Sequence, residues 1–144
     1  MVLIENRKAN FEYTIIEKFL AGIKLIGTEV KSIRQSKASI SEAYCHIIDS
    51  EIFIKGMHVS DYGTIKYTNH EPNRDRKLLL NKKEINKLSK AIKEKGLTIV
   101  PLSIQLSETG YIKILIGLAK GKKAYDKRES IKEKDIKRQL EKNY

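Results

Sequence analysis

The sequence predicts a mainly-β protein with helices, in the form of a small antiparallel β-barrel with two to three short helices and a basic C-terminal tail. Short apolar segments recur through the chain and are mostly joined by tight turns, which favours about six antiparallel strands. One segment has a full set of helix start and stop signals. The last quarter of the chain is mostly charged, and its apolar residues are too sparse to form a core.

Two patterns predict the strands. Alternation places Phe11, Tyr13 and Ile15 on one face of a strand that follows a short polar arm of mixed charge. Runs rich in β-branched residues flank turns further along. The expected segments are residues 11–19, two strands within 43–56 around Asp49-Ser50, an extended piece at 58–67, and two strands within 97–118 around the turn at 107–110. A closed or nearly closed barrel best removes the edges of such a set, and the OB-like barrel is a frequent nucleic-acid-binding version.

The last of these strands alternates strictly, with Ile112, Ile114, Ile116 and Leu118 on one face, and should end at Leu118. Pro101 cannot donate a ladder hydrogen bond, so its strand should lie at an edge or contain a bulge there.

Two helices are predicted from end signals. Asn81 is a strong N-cap residue, Glu84 stands three residues later, and Gly96 lies where a left-handed residue ends a helix. Thr28 is placed to cap a shorter helix with Glu29 in its first turn. The buried stripe of that shorter helix is expected to be Ile26, Val30 and Ile33.

Composition restricts the partner. The net charge of +11, from 29 Lys and Arg against 18 Asp and Glu, requires an acidic partner such as nucleic acid, an anionic membrane or an acidic protein. We expect no membrane partner, because no run approaches the roughly 18 apolar residues of a spanning helix and the N-terminus has no apolar signal core. A single cysteine, Cys45, excludes an internal disulfide and favours a reducing, cytoplasmic setting.

No motif indicates catalysis, so we expect a protein that is not an enzyme and has no metal site and no cofactor. Residues 117–123 superficially resemble a P-loop, but they have three spacers instead of four, and Lys123 stands where a hydroxyl should bind magnesium. Cys45 and His46 are adjacent and would point to opposite faces of a strand.

Basic residues cluster in three zones, at residues 24–37, 66–83 and in the tail. From residue 119 to 144, 10 Lys and Arg against 5 Asp and Glu contribute +5 of the chain's +11. Such runs are usually no more than solvated surface, but an excess this large that is not offset nearby favours nucleic acid.

Four segments then resemble one family. NRKANFEYTI, AGIKLIGTEVKSIR, RKLLLNKKEI and GLAKGKKAYDKRE are similar, in this order over residues 6–138, to the SsrA-binding protein (small protein B) family. The resemblance implies a bacterial cytoplasmic RNA-binding adaptor with an OB-like barrel, which we expect to be monomeric. It also implies that the protein binds transfer-messenger RNA and delivers it to stalled ribosomes for trans-translation, the process of ribosome rescue and peptide tagging.

The resemblance implies contacts to the tRNA-like domain of that RNA at Asn6, Tyr13, Leu79 and Lys113. Asn6 would lie in the mobile arm, Tyr13 would stack on an unpaired base and Lys113 would neutralise a phosphate. Leu79 is open to a second interpretation, as a core residue. At Leu20 the chain departs from the family, which commonly has Glu there, so Leu20 receives no functional role.

The resemblance also divides the chain into a barrel, residues 1–120, and a tail, residues 121–144, that is disordered when free. The tail would become helical where it enters the decoding centre and the empty mRNA channel, with Tyr125 stacked on a small-subunit rRNA base. The matching ribosome-binding residues are Gly121, Lys122, Lys123, Tyr125, Asp126, Lys127 and Arg128. The alternative is a non-specific ribosomal or RNA-chaperone protein whose tail only adds affinity.

Overall fold

The computed structural model describes residues 1–61 and 70–122. Strands dominate this part of the chain, and three helices lie between them. In chain order the elements are β1 (Val2–Glu5), α1 (Arg7–Glu12), β2 (Tyr13–Ile23), α2 (Gly27–Arg34), β3 (Ala38–Ser39), β4 (Tyr44–Ile48), β5 (Glu51–Lys55), β6 (His58–Val59), β7 (Arg76–Leu79), α3 (Lys82–Lys95), β8 (Thr98–Leu106) and β9 (Ile112–Gly121).

Seven of these strands form one antiparallel sheet in the order β1-β8-β9-β2-β7-β5-β4, while β3 and β6 pair separately. The sheet curls until its edge strand β4 lies against β8. Bulges in β2 after Ile15 and in β8 after Pro101 bend the strands and assist the curl. The predicted mainly-β, OB-like barrel is therefore confirmed, and its main sheet has seven strands where six were expected.

The core lies inside the curl. Alternate residues of β9 face it and are at most 7% exposed, as the sequence predicted: Ile112, Ile114, Ile116 and Leu118. Ile85 and Leu88, from the apolar stripe of α3, belong to the same core cluster. None of the helices in the described part of the chain has the length and apolar character needed to span a bilayer.

The predicted end signals of α3 are confirmed. The Asn81 Oδ1 accepts the Glu84 N–H at 2.9 Å, and the Glu84 carboxylate accepts the Asn81 N–H at 3.4 Å. Gly96 follows the helix in the left-handed region with a φ of 63°. These contacts satisfy backbone groups that the helix ends leave unpaired.

The N-terminal prediction was wrong. The first residues are not a polar arm, because Val2–Glu5 pairs with β8 as an edge strand. Arg7–Glu12 then forms α1, so Phe11 lies in a helix and the following strand begins at Tyr13. The segment was predicted as an arm because of its polar residues. Its first residues nevertheless form a short apolar strand, which is stabilised by pairing with β8.

The start of α2 also differs from the prediction. Ile26 is the N-cap residue, and its backbone N–H donates to the Glu29 carboxylate at 2.8 Å. Thr28 therefore does not cap the helix, and its hydroxyl hydrogen-bonds to the Nδ1 of His70 at 2.9 Å. Ile33 is fully buried as expected, whereas Ile26 is 46% exposed because it precedes the helix.

The predicted turn at Asp49-Ser50, the end of the last strand and the piece at 58–67 can each be compared with the structure. Asp49 and Ser50 both have positive φ, as the predicted two-residue hairpin turn requires. β9 runs three residues past its predicted end at Leu118, because Ala119, Lys120 and Gly121 pair with the start of β2. Of the extended piece predicted at 58–67, His58–Val59 forms β6, Ser60 and Asp61 lie outside a strand, and residues 62–67 lie outside the described residues.

Candidate nucleic-acid interface

Three of the four predicted RNA contacts share the outer face of the sheet. Tyr13 lies opposite Gly121 at one end of the β2–β9 pair, and Gly22 lies opposite Lys113 at the other end. Leu79 of β7 is paired with the same Gly22. Residues directly opposite each other in an antiparallel pair lie on one face, and the inward face is occupied by the core residues of β9. Tyr13, Leu79 and Lys113 therefore point away from the core.

At one end, Leu79, Gly22 and Lys113 form a row across three strands. Gly22 has no side chain, and a Cβ at this position would lie 3.2 Å from the Cβ of Leu79. The row thus forms the floor of a shallow cleft of about 510 Å³, which Leu20 also lines. Leu79 and Leu20 are each 52% exposed, so the core interpretation of Leu79 is excluded and both leucines offer apolar surface beside a lysine.

At the other end, Tyr13 lies beside α1. Ala9 of α1 packs on the outer face of the sheet against Val100 and Ala119, with Tyr13 and Ile15 at the border of this small apolar cluster. Tyr13 is only partly buried, so part of its ring remains available to a ligand. It lines a cleft of about 350 Å³ together with Asn6, Lys8, Glu12 and Tyr44 among others.

Asn6 is not in a mobile arm, because its side chain is 93% buried between β1 and α1. Its Nδ2 donates to the carbonyls of Ile40 and Pro101, at 3.3 and 2.8 Å, and its backbone N–H donates to the carbonyl of Leu102 at 2.8 Å. Its Oδ1 is buried and has no hydrogen-bond partner among the described residues. Asn6 thus holds α1 on the sheet, and its contact with RNA stays a prediction.

The two ends of this surface are far apart. Tyr13 and Gly22 are nine residues apart on β2, and a strand rises about 3.3 Å per residue, so the ends lie roughly 30 Å from each other. A single partner that contacts Tyr13 and Lys113 together must be a large molecule with an extended surface.

Two arginines of the second basic zone, Arg74 and Arg76, bind a buried carboxylate, and sequence reasoning missed this. Arg76 is fully buried, and its Nε donates to the Glu29 carboxylate, whose other oxygen accepts from Arg74. The Arg76 Nη1 donates to the carbonyls of Met57 and Arg74, at 2.9 and 2.8 Å. The only sequence signal was that Glu29 stands one helical turn before the buried Ile33, on the same face of α2.

The pKa of Glu29 reflects this environment. Burial alone would raise it, but hydrogen bonds from Arg74, the Ile26 N–H and Arg76 outweigh burial and hold the pKa below its usual range. Glu29 is therefore ionised, and the cluster fixes the loop that precedes β7 against α2.

The predicted tail begins within the described structure. Gly121 is the last residue of β9, and the backbone N–H of Lys122 donates to the carbonyl of Glu12 at 3.0 Å. The Lys122 ammonium donates to the carbonyl of Asn10 at 3.1 Å. Both residues therefore lie at α1, next to Tyr13. The remaining predicted tail residues lie outside the described residues: Lys123, Tyr125, Asp126, Lys127 and Arg128.

We also considered the groups of the described residues that could take part in catalysis or metal binding. Burial raises the pKa of the Cys45 thiol, which therefore stays protonated and unreactive. Within residues 1–61 and 70–122, no group of three or more His, Cys, Asp or Glu side chains is arranged to hold a metal ion.

A nearly closed antiparallel barrel with a partly exposed tyrosine and lysine and two exposed leucines along one outer face is typical of small β-barrel proteins of the nucleic-acid-binding class. Comparison with known proteins identifies the family. The family model described as SmpB protein matches residues 3–144. The chain belongs to the SmpB protein family.

Individual relatives cover nearly all of the chain. The SsrA-binding protein of Cytophaga hutchinsonii is 56% identical over 140 residues, which cover 97% of this chain and 92% of the relative. That of Acholeplasma laidlawii is 54% identical over 138 residues, covering 96% and 92%. A chain from the solved structure described as "tmRNA-SmpB: a journey to the center of the bacterial ribosome" aligns with a TM-score of 0.71 and 42% identity, covering 89% of this chain and 94% of that one.

Proposed function

We propose that this protein is an RNA-binding adaptor that binds the tRNA-like domain of transfer-messenger RNA and delivers it to stalled ribosomes for trans-translation. Membership of the SmpB family supports the RNA and the ribosome as partners. The structural observation that carries the proposal is the shared outer face of β2, β7 and β9, where Tyr13, Leu79 and Lys113 lie along a surface roughly 30 Å long.

Each residue has a distinct chemical role in this proposal. Tyr13 stacks on an unpaired base, and Lys113 neutralises a phosphate. Leu79, across Gly22 from Lys113, packs against a ribose or a base face in the shallow cleft. Asn6 holds α1 in place and offers to a polar group of the RNA its Oδ1, which has no partner within residues 1–61 and 70–122, once the side chain moves.

The tail has the second role. Residues 121–144 probe the decoding centre and the empty mRNA channel, and residues 1–120 form the barrel that holds the transfer-messenger RNA. We propose a monomeric, cytoplasmic adaptor without a catalytic step or a cofactor.

Binding of the full chain to transfer-messenger RNA, compared with an unrelated RNA of equal length at about 150–200 mM salt, tests the first role. Tyr13→Ala should weaken binding by about 1–3 kcal/mol. Lys113→Ala should lower the slope of log K against log salt by about 0.7–0.9. Lys90→Ala, on the exposed side of α3, removes the same charge and is the matched control. Equal affinity for both RNAs would instead favour the non-specific ribosomal or RNA-chaperone protein.

Tagging of a stalled translation product tests the second role. Tyr125→Ala in the full chain should leave the affinity for transfer-messenger RNA unchanged and strongly reduce tagging. Undiminished tagging by this variant, and by Arg128→Ala, would show that the barrel alone is sufficient.

A further inference from the structure

We infer that Tyr111 is an additional RNA-stacking residue and that the β8–β9 hairpin extends the candidate interface beyond Lys113. The inference rests on the proposed function, because it assigns the ligand as an unpaired nucleotide of the same RNA. Tyr111 matches none of the contacts that the family resemblance implies.

The ring of Tyr111 lies on the interface side of the sheet. Tyr111 is 70% exposed, and its neighbour Ile112 is 7% exposed and faces the core. Because side chains alternate along an extended chain, Tyr111 and Lys113 both point outward on the same face, about 7 Å apart. Tyr111 therefore lies on the same outer face as Leu79 and Lys113, two residues along the chain from Lys113.

The backbone that carries this ring is well fixed. The Ser107 N–H donates to the carbonyl of Tyr111 at 2.8 Å, and the Tyr111 N–H donates to the Ser107 hydroxyl at 3.0 Å. The Gly110 N–H donates to the carbonyl of Ser107 at 3.0 Å, and Gly110 has a φ of 89°, which suits glycine. Because these contacts fix the backbone of the turn, only the side-chain torsions of Tyr111 lose freedom when a base stacks on its ring.

Two cationic side chains lie near Tyr111. The guanidinium of Arg34, at the end of α2, donates from its Nη2 to the carbonyl of Gly110 at 3.0 Å. A guanidinium has five N–H donors, so Arg34 retains donors for a phosphate while it stays anchored beside Tyr111. Lys113 follows two residues later on the same outer face. The turn also contains Glu108, which is exposed and disfavours a phosphate at the tip. The geometry fits a base on the ring with its flanking phosphates directed toward Arg34 and Lys113.

Affinity of the full chain for transfer-messenger RNA tests the inference at about 150–200 mM salt. Tyr111→Ala should weaken binding about 5- to 150-fold without changing the salt slope, because a stacked base and not a charge is lost. Tyr111→Phe should bind within about 2-fold of the wild type, since stacking needs the ring but not the hydroxyl. Arg34→Ala should reduce the salt slope. If Arg34→Ala weakens RNA binding but Tyr111→Ala does not, the site contributes charge without stacking, as a site for an acidic protein would. That result would overturn the inference.

Fluorescence gives a second, direct readout. The chain contains no tryptophan, so Tyr111→Trp introduces a single indole, whose emission should be quenched when the RNA stacks on it. Glu94→Trp, on the exposed end of α3, should not be quenched. If the wild type prefers transfer-messenger RNA but Tyr111→Ala binds equally and Tyr111→Trp is not quenched, this inference is wrong and the proposed function stands. If the wild type shows no preference for transfer-messenger RNA, the proposed function fails and this inference fails with it.

Discussion

Replacing Glu29 by Gln tests the buried ion cluster. Glu29 and Arg76 are both 0% exposed in their side chains, so Glu29→Gln leaves the Arg76 guanidinium buried without a full counter-charge. Removal of one partner from a buried ion pair costs about 3–5 kcal/mol. The total stability of a domain is about 5–15 kcal/mol, so this loss is a large share of it. Gln keeps one acceptor oxygen for the Ile26 N–H, and its NH2 group replaces the oxygen that accepts from Arg76, so the variant removes the charge together with that hydrogen bond.

Urea denaturation followed by circular dichroism measures this effect. With a slope of about 1–3 kcal/mol per molar urea, the midpoint should fall by about 2 M. Glu42→Gln is the matched control. The ion pair between Glu42 and Lys8 is exposed on the surface, so its loss should not measurably change the free energy of unfolding. A Glu29→Gln variant that unfolds within about 1 kcal/mol of the wild type, at unchanged slope, would refute the reasoning.

The same cluster predicts a pH dependence. The folded pKa of Glu29 lies below its unfolded value of about 4.3. The unfolded state therefore binds more protons at acidic pH, and the stabilisation is complete above the unfolded pKa and is lost as the pH falls through the folded pKa. Wild-type stability should decline below about pH 5, and Glu29→Gln should lack this part of the decline.

Three further predictions concern local structure and are measured by the same unfolding experiment. Asn81→Ala removes the cap of α3 and should cost about 0.5–2 kcal/mol; an unchanged midpoint would contradict the observed capping contacts. Gly56→Ala should cost more than Gly96→Ala. Both glycines have positive φ, but only at Gly56 would a Cβ meet backbone, the carbonyl oxygen of Glu42 at 2.8 Å. Equal losses would show that φ alone matters. Leu20→Glu should change stability by less than about 0.5 kcal/mol, because Leu20 is half exposed, and a larger loss would indicate a packing role.

Local signals made much of the fold predictable. The cap, the capping box and the left-handed glycine of α3 are interactions between residues at most five positions apart, so one short stretch of sequence contains both partners of each contact. The Asp49-Ser50 turn is local in the same sense. Pro101 also carries its own signal, since it cannot donate to a neighbouring strand and the bulge follows directly after it.

Contacts between distant residues could not be predicted. β1 exists because β8, about a hundred residues later, pairs with it. Glu29 and Arg76 are 47 residues apart, and no periodicity in the sequence relates them. The burial of Asn6 similarly depends on carbonyls from Ile40 and Pro101. In the last two cases, polar residues that resembled solvated surface in the sequence pair with buried groups from another part of the chain.

The candidate interface was predictable as a set of residues but not as a surface. Family resemblance supplied Tyr13, Leu79 and Lys113, and the register of three strands determined that they share one face. The exposed ring of Tyr111 had no sequence signal, because a tyrosine after a turn is equally compatible with a core position. The fold distinguishes the two through the alternation with Ile112.

The attachment of Lys122 to α1 sets a limit on reach. Residues 123–144 follow the barrel from Lys122, which is held next to Tyr13 by hydrogen bonds to the carbonyls of Glu12 and Asn10. Twenty-two residues span about 33 Å as a helix and at most about 75 Å when fully extended. Any ribosomal site that residue 144 contacts must therefore lie within about 75 Å of Lys122, and so of the RNA bound at the neighbouring Tyr13. A structure of the assembled complex has to satisfy this distance.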